Sequence, residues 1–372
     1  MRIAQLANFY SPTSGGLRTA VDTIGRGYLA AGHERVLIRP GKYTAEAETG
    51  DGLVITLKGR PISGGYRMVV SPKAIRAALD RVRPDSVEVS DKATMVTAGT
   101  WARANDRPAV LFSHERLDTW LAARLPILPK SALEPLVARW NRRLAARFDT
   151  VVVTSAFAEQ EFRALGVRHV RRVPLGVDLT TFHPSDPPDD TTARLVYAGR
   201  LSPEKNPGAV IKAVDMLVRN GNDVTLDVYG HGSALPALKR QATGLPVTFH
   251  GHLSGRAELA ARLAAADVAF APSPAETFGL SILEALACGT PVVTADTGGA
   301  PELVSGGAGL AVRPTPEGLA GGVLRVLSRP VLSRRAAARR RAESYPWSAT
   351  VGALVDLHAM TTGAGTSAGK PR

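Results

Sequence analysis

Two carboxylates, Glu276 and Glu284, bracket the start of a helix in the run AETFGLSILEALACGTPVV. Leu280 to Ala287 repeats apolar residues at helical spacing, Cys288-Gly289 stops it, and Thr290-Pro-Val-Val begins a buried strand. Such a helix start aims the backbone N–H groups of Phe278, Gly279 and Leu280 at an anion above the sheet. The first amides of a helix have no intrahelical acceptor and carry a partial positive charge. Gly279 lets the backbone come close to that anion. A second group, Arg200-Leu-Ser-Pro-Glu-Lys205-Asn206-Pro207, follows another apolar run and puts two cations on one strand-end loop. A guanidinium gives forked contacts and an ammonium a point charge, which suits a pyrophosphate. Asn206 is expected as the N-cap of the next helix, with Pro207 at its first position.

Other strand ends carry further candidates. Ser113-His114-Glu115-Arg116-Leu117-Asp118 offers His114, whose expected role is hydrogen bonding to a ligand rather than proton transfer. Gly230-His-Gly232 suits close approach to a phosphate or nucleotide, and Gly15 and Gly16 open a helix whose N–H groups would meet a phosphate or sugar. His250 and His252 lack metal-ligand spacing with nearby carboxylates and receive no role.

These residues need elements that hold them. Arg2 to Ala7, Arg35 to Arg39, Asp85 to Val89, Pro108 to Phe112, Thr150 to Thr154 and His169 to Val173 are short apolar runs, with helical stretches such as Leu17 to Ala31 and Lys73 to Val82 among them. A second set runs from Leu195 to Gly199, Val224 to Gly230, Val247 to Gly251, Asp267 to Ser273, Pro291 to Ala295 and Gly309 to Arg313. The alternation predicts doubly wound parallel sheets with helices on both faces, and ligands of such sheets bind beyond the strand C-termini. Between the sets, DLTTFHPSDPPDDTT neither alternates nor repeats and reads as a linker. A chain of 372 residues suits two domains at the usual size of roughly 150 residues each. The expected division is 1–178, linker 179–192, 193–345, a helix 346–360 crossing back to the first domain, and a disordered tail 361–372.

Composition sets outer bounds. The chain is 44% hydrophobic and 21% charged, as soluble globular proteins are, and no run reaches the roughly 18 apolar residues that span a bilayer. The start MRIAQLANFY reads as a first strand, not a signal peptide, so a cytoplasmic location is expected. The single cysteine, Cys288, excludes internal disulfides and reads as a small buried residue. The net charge of +13 attracts nucleotides, nucleic acids or anionic headgroups without choosing among them. The cluster Arg334, Arg335, Arg339, Arg340 and Arg341 is expected as a solvated helix face. Ser131 to Arg147 carries Leu133, Leu136, Val137, Trp140 and Leu144 on one side, with Arg139, Arg142, Arg143 and Arg147 around it. It reads either as a helix on an anionic membrane or as one packed on the sheet with a basic outer face.

Gly15-Gly16, His114, GRLSPEK, YGHG, the Glu276 to Glu284 pair and GGAPEL ending in Glu302 together resemble the retaining glycosyltransferases of family 4. The resemblance covers almost the whole chain. It implies the GT-B fold, two Rossmann-like domains facing across a cleft, the first on the acceptor side and the second binding a nucleotide sugar. ANFYSPTSGGLRTAVD, EVSDK, SHERLD and VPLGVDLTTFHP are similar to the branch that uses GDP-mannose to lengthen phosphatidylinositol dimannoside, at the cytoplasmic face of the plasma membrane. On the matching positions, the family implies that Glu276 contacts hydroxyls of the donor sugar, Glu284 the ribose, and Arg200 with Lys205 the diphosphate. His114 would hydrogen-bond the sugar, and Gly16, Phe278, Gly279 and Leu280 would complete the donor cradle with Gly15 and Gly230. The family needs neither metal nor other cofactor, and this chain has no Asp-x-Asp motif. Its chemistry is attack by the acceptor hydroxyl on the face the leaving group departs from, and the sequence shows no second nucleophilic candidate besides Glu276.

Acceptor recognition is expected from the first domain. Lys58-Gly-Arg60-Pro-Ile-Ser-Gly-Gly-Tyr66-Arg67 is either a flexible basic loop for an inositol phosphate headgroup or a plain hairpin, and Arg116 and Asp118 are further acceptor candidates. A family 4 transferase with a UDP-sugar and a soluble acceptor, such as an inositol, a trehalose-type sugar or a natural product, remains the main alternative. An NAD-dependent oxidoreductase is remote, because NFYSPTSGGL replaces the Gly-x-Gly-x-x-Gly turn. A nucleic-acid binder would have no use for the two strand-end donor motifs.

Overall fold

The computed structural model describes residues 1–11, 15–62, 65–118, 121, 130–185, 191–253 and 255–363. Runs rich in Val, Ile and Leu favour strands buried on both faces, and the chain divides them between two units. The first comprises Met1–Pro174 with Trp347–Arg372, the second Leu175–Pro346.

The first unit holds β1 (Arg2–Leu6), β2 (Glu34–Gly41), β3 (Ala45–Thr49), β4 (Gly52–Lys58), β5 (Arg60–Pro61), β6 (Arg67–Met68), β7 (Ser86–Val89), β8 (Ala109–Ser113), β9 (Thr150–Val153) and β10 (Val170–Arg172). Its main sheet has the order β10-β9-β8-β7-β1-β2-β4-β3. All neighbours are parallel except β3 and β4. The expected wholly parallel sheet is therefore wrong at this edge. AEAET in β3 is exposed along its length, so it gave no apolar run to read, and its two glutamates guard an open edge. β5 and β6 pair antiparallel, which makes the segment from Lys58 to Arg67 the hairpin of its two readings; residues 63–64 lie outside the described set.

The helix Trp347–Gly363 belongs to this first unit and extends past the expected end at 360; residues 364–372 of the expected tail lie outside the described set. His358 secures it from a fully buried position: Nδ1 lies 2.7 Å from Ser86 Oγ, and Nε2 lies 3.2 Å from the Tyr28 hydroxyl, which donates to Glu88 at 2.5 Å. Residues alternate along β1 and β7, so Ser86 and Glu88 face His358 while the apolar core on the other face of the sheet includes Leu6, Ile38, Ile75, Leu79, Val89 and Phe162. Each such side chain contributes about 1.5–3 kcal/mol when taken fully out of water.

The second unit holds β11 (Ala193–Ala198), β12 (Val224–Tyr229), β13 (Val247–Gly251), β14 (Val268–Ala271), β15 (Val292–Ala295) and β16 (Gly309–Val312). They form one parallel sheet, β13-β12-β11-β14-β15-β16. Winding reverses between β11 and β14 here, and between β1 and β7 in the first unit. Those reversals open the crevices where doubly wound sheets take ligands.

Two sequence expectations fail in this unit. Residues 179–185 of the expected linker pack as part of it: Asp178 accepts from the Thr180 and Thr181 amides, and Phe182 is fully buried. The polar composition reflected an Asx-type turn, while residues 186–190 lie outside the described set. The arginine cluster is not a solvated face either. On the helix Val331–Glu343, Arg334 and Arg335 are only 5% and 6% exposed. Arg335 donates to the carbonyls of Ala264, Ala266 and Cys288, Arg339 to those of Phe182 and Ala287, and Arg341 to those of Glu302 and Leu303. Helices end on unsatisfied carbonyls, and a guanidinium carries five donors to meet them. Arg334 pairs with Asp267 at 2.7 Å, and Arg340 alone of the five stays exposed. Among the described residues no helix is long and apolar enough to cross a membrane.

Candidate active site

The second unit gathers most of the candidates at its sheet reversal. Arg200 and Lys205 follow β11, Glu276 follows β14, and Lys205 Nζ lies 2.7 Å from Glu276 Oε2. The Tyr197 hydroxyl donates to the Arg200 carbonyl within the first loop, and Ser273 Oγ donates to the Glu204 carbonyl, tying the two loops together. Gly279 stands at φ 104° immediately before the helix Leu280–Ala287, a conformation that disfavours any Cβ. The Gly299 amide donates to the Glu276 carbonyl at 2.6 Å and fixes that carboxylate's main chain. Phe278 is buried edge-on against Tyr345, so its contribution to a ligand is its amide and not its ring. Cation, carboxylate and helix start thus converge where a diphosphate and a sugar would need them.

Glu284 sits one helical turn further in, 3.3 Å from Arg256. Burial pushes its carboxyl up to about 7, against the pull of the Arg256 guanidinium. Arg256 also lies over the Phe182 ring at 4.9 Å. Sequence reasoning missed Arg256, whose only signal was its place at the start of a helix after β13.

Two expectations change meaning here. Gly230 was expected to admit a phosphate, yet a Cβ there would stand 1.9 Å from the Gly199 carbonyl oxygen, and one at Gly232 would stand 2.1 Å from that of Leu201. The glycines let the loops after β11 and β12 touch each other. Asn206 does precede the helix Pro207–Arg219, but in a left-handed conformation without a side-chain cap, because its amide donates instead to the Pro314 carbonyl at 2.9 Å.

In the first unit, Gly15 and Gly16 are exposed at the start of the helix Gly16–Ala30, beyond the end of β1. His114, just past β8, stacks on Phe112 at 4.3 Å and lies 3.3 Å from Ser90 Oγ. Burial lowers its imidazole to about 4, so it is neutral at physiological pH and suited to hydrogen bonding rather than acid catalysis. Arg116 forks onto Asp118 and donates to the Phe157 carbonyl, so these two acceptor candidates hold the loop's own shape. Arg67 donates to the Gly59 carbonyl, Tyr66 packs edge-on against Phe9, and Arg60 is exposed. Asn8 and Asp91, which sequence reasoning passed over, meet at the β1/β7 reversal, where Asn8 Nδ2 donates to Asp91 at 3.2 Å and burial raises the Asp91 carboxyl to about 6.

Similarity to known proteins agrees with this arrangement. The model of the glycosyl transferase 4-like domain matches residues 15–178, and that of the group 1 glycosyl transferases matches residues 179–344. A GDP-mannose-dependent alpha-(1-6)-phosphatidylinositol dimannoside mannosyltransferase of Mycobacterium tuberculosis is 44% identical over 372 residues, covering 97% of each chain. The chain belongs to the group 1 glycosyltransferases. This glycosyltransferase also shares its fold with solved structures. They include sucrose-phosphate synthase of Thermosynechococcus elongatus, with a TM-score of 0.79 at 20% identity over 98% and 99% of the two chains. HepE of Anabaena, in complex with UDP and glucose, gives 0.75 at 21% identity over 98% and 100%. The glycosyltransferase accordingly has the GT-B fold of two Rossmann-like domains, as its two doubly wound sheets require.

Proposed function

We propose that this glycosyltransferase moves alpha-mannose from GDP-mannose to a phosphatidylinositol mannoside, with retention of configuration. The observation that carries the reading is the 44% identity to the mycobacterial mannosyltransferase across 97% of both chains, joined to a Lys205–Glu276 pair at the helix start where a sugar diphosphate would sit. In this reading Arg200 and Lys205 neutralise the diphosphate as its bond to C1 breaks, and Glu276 leaves Lys205 to take donor-sugar hydroxyls. Glu284 accepts from the ribose, and the amides of Phe278, Gly279 and Leu280 face the phosphates. His114, as a neutral imidazole, hydrogen-bonds the sugar. The acceptor oxygen bonds to C1 on the departing face and its proton passes to the leaving phosphate oxygen. Fixed charge placed where charge develops supplies the rate, and no metal or other cofactor is assigned a role.

The acceptor is a lipid, so the enzyme works at an anionic membrane surface, which in this reading is the cytoplasmic face of the plasma membrane. The helix Lys130–Ala145 supports such contact. It buries Leu133, Val137 and Leu144 against its own unit while Leu136 and Trp140 stand 66% and 39% exposed beside Arg139 and Arg143. The sequence had placed all five apolar residues on one side, facing either a membrane or the sheet; the i, i+4 row from Leu133 to Val137, with Leu144, is covered, and Leu136 and Trp140 are not.

Thermal unfolding with GDP-mannose, GDP, UDP-glucose, UDP-N-acetylglucosamine and NAD tests the donor. A ligand at 100 times its Kd stabilises by about 2.7 kcal/mol. Stabilisation by GDP-mannose and GDP, lost in Glu284→Ala, is expected. A response to UDP-sugars alone would move the enzyme to another donor and a soluble acceptor.

A further inference from the structure

Glu161 is 3% exposed on the helix Ala156–Arg163, and three separate segments converge on it. Its Oε1 accepts from the Leu117 amide at 2.6 Å and from Asn141 Nδ2 at 3.0 Å, while Oε2 takes the ammonium of Lys92 at 2.5 Å. Lys92 lies just past β7 and is 10% exposed, 4.8 Å over the Phe162 ring; its carbonyl accepts from Trp140 Nε1. Leu117 lies just past β8, in the loop that begins with His114. One carboxylate therefore joins the ends of two adjacent strands to two helices. A buried charge left without partners is costly, so this junction holds only in one arrangement.

We propose that Glu161 is a positioning residue for transfer, which fixes the His114–Asp118 loop through the Leu117 amide and so sets where His114 meets substrate. The inference rests on the reading of His114 as a substrate-contacting residue. Loss of a loop's placement by about 1 Å costs on the order of 100-fold in rate.

The test compares the wild-type enzyme with Lys92→Met/Glu161→Leu, which removes the buried pair together, and Lys92→Met/Glu161→Gln, whose amide oxygen still accepts from Leu117. Three readouts are taken: amide hydrogen exchange at Leu117, transfer kinetics with varied acceptor, and GDP-mannose affinity by calorimetry. The leucine variant should exchange Leu117 about tenfold faster. It should also lose about 100-fold in kcat/KM for the acceptor, of which at most about tenfold appears as weaker GDP-mannose binding through the displaced His114 hydrogen bond to the donor sugar. The glutamine variant should recover most of both losses. Unchanged exchange and acceptor kinetics in the leucine variant would overturn the proposal, as would an equal loss of donor affinity or no recovery with glutamine. If the leucine variant does not fold, the Lys92→Met/Glu161→Gln variant is compared with the wild type, and a loss of acceptor kcat/KM without faster exchange at Leu117 would overturn the proposal. Absence of mannosyl transfer by the wild-type enzyme would sink the functional reading instead, while the exchange data would still decide whether Glu161 holds the loop.

Discussion

Lys205 Nζ and Glu276 Oε2, 2.7 Å apart, tie the loop after β11 to the loop after β14 at the reversal of the second sheet. Each group holds the other in place where a donor would replace the partnership with its own diphosphate and hydroxyls. Both side chains are part-exposed, so the pair adds little to stability and its worth lies in placement. Lys205→Ala and Arg200→Ala should each lower kcat by about 100- to 1,000-fold, with unfolding temperature almost unchanged. Lys205→Arg should not restore the rate, because a forked guanidinium differs from a point charge in reach and geometry. Steady-state kinetics beside thermal unfolding check this.

In the proposed reading, the buried Glu284 makes donor binding depend on pH. Its folded-state value of about 7 lies above the ordinary 4.5. The stability it contributes is therefore present at low pH and lost as pH rises through about 7. Donor binding follows the opposite course, since the ribose hydroxyls need an ionised acceptor. GDP-mannose affinity measured by calorimetry should rise between pH 6 and pH 8, and Glu284→Gln should abolish that dependence. His114, lowered to about 4, should add no inflection in the same range.

Arg335 closes helix ends from the inside. It gives hydrogen bonds at 2.7 Å to Ala264 and at 3.1 Å to Ala266, both at the end of the helix Arg256–Ala264. Arg335→Met should destabilise the protein by about 2–5 kcal/mol, since buried carbonyls lose charged donors. Arg335→Lys should recover only part, for want of the fork. Denaturant titration reads both.

The proposed use of side-chain cations in place of a metal predicts that transfer persists in EDTA and gains nothing from added Mg²⁺ or Mn²⁺. A rate that collapses in EDTA and returns with metal would contradict the roles given to Arg200 and Lys205.

The parallel strands were legible because runs such as Val151–Val153 and Val36–Ile38 are apolar throughout and bounded by polar or turn residues. Arg200, Lys205, Glu276 and His114 were legible as residues standing just past such runs. What stayed hidden depended on contacts between distant segments. AEAET in β3 has no apolar signature, since its pairing with β4 is made by backbone alone. The arginines of the helix Val331–Glu343 look like a solvated face until the helix ends they cap are brought beside them. Gly230 was legible as a glycine that admits close approach, but the chain does not say that the Gly199 carbonyl lies against it. Glu161 gave no signal, as its partners Lys92, Leu117 and Asn141 come from three other parts of the sequence.

The most direct test is transfer itself. The purified enzyme is incubated with radiolabelled GDP-mannose and phosphatidylinositol dimannoside in vesicles containing anionic lipid, with labelled UDP-glucose in parallel. The account predicts a labelled trimannoside whose new linkage is alpha by NMR, formed from GDP-mannose alone and lost with Lys205→Ala. Labelled product from UDP-glucose and none from GDP-mannose, or a beta linkage, would contradict it.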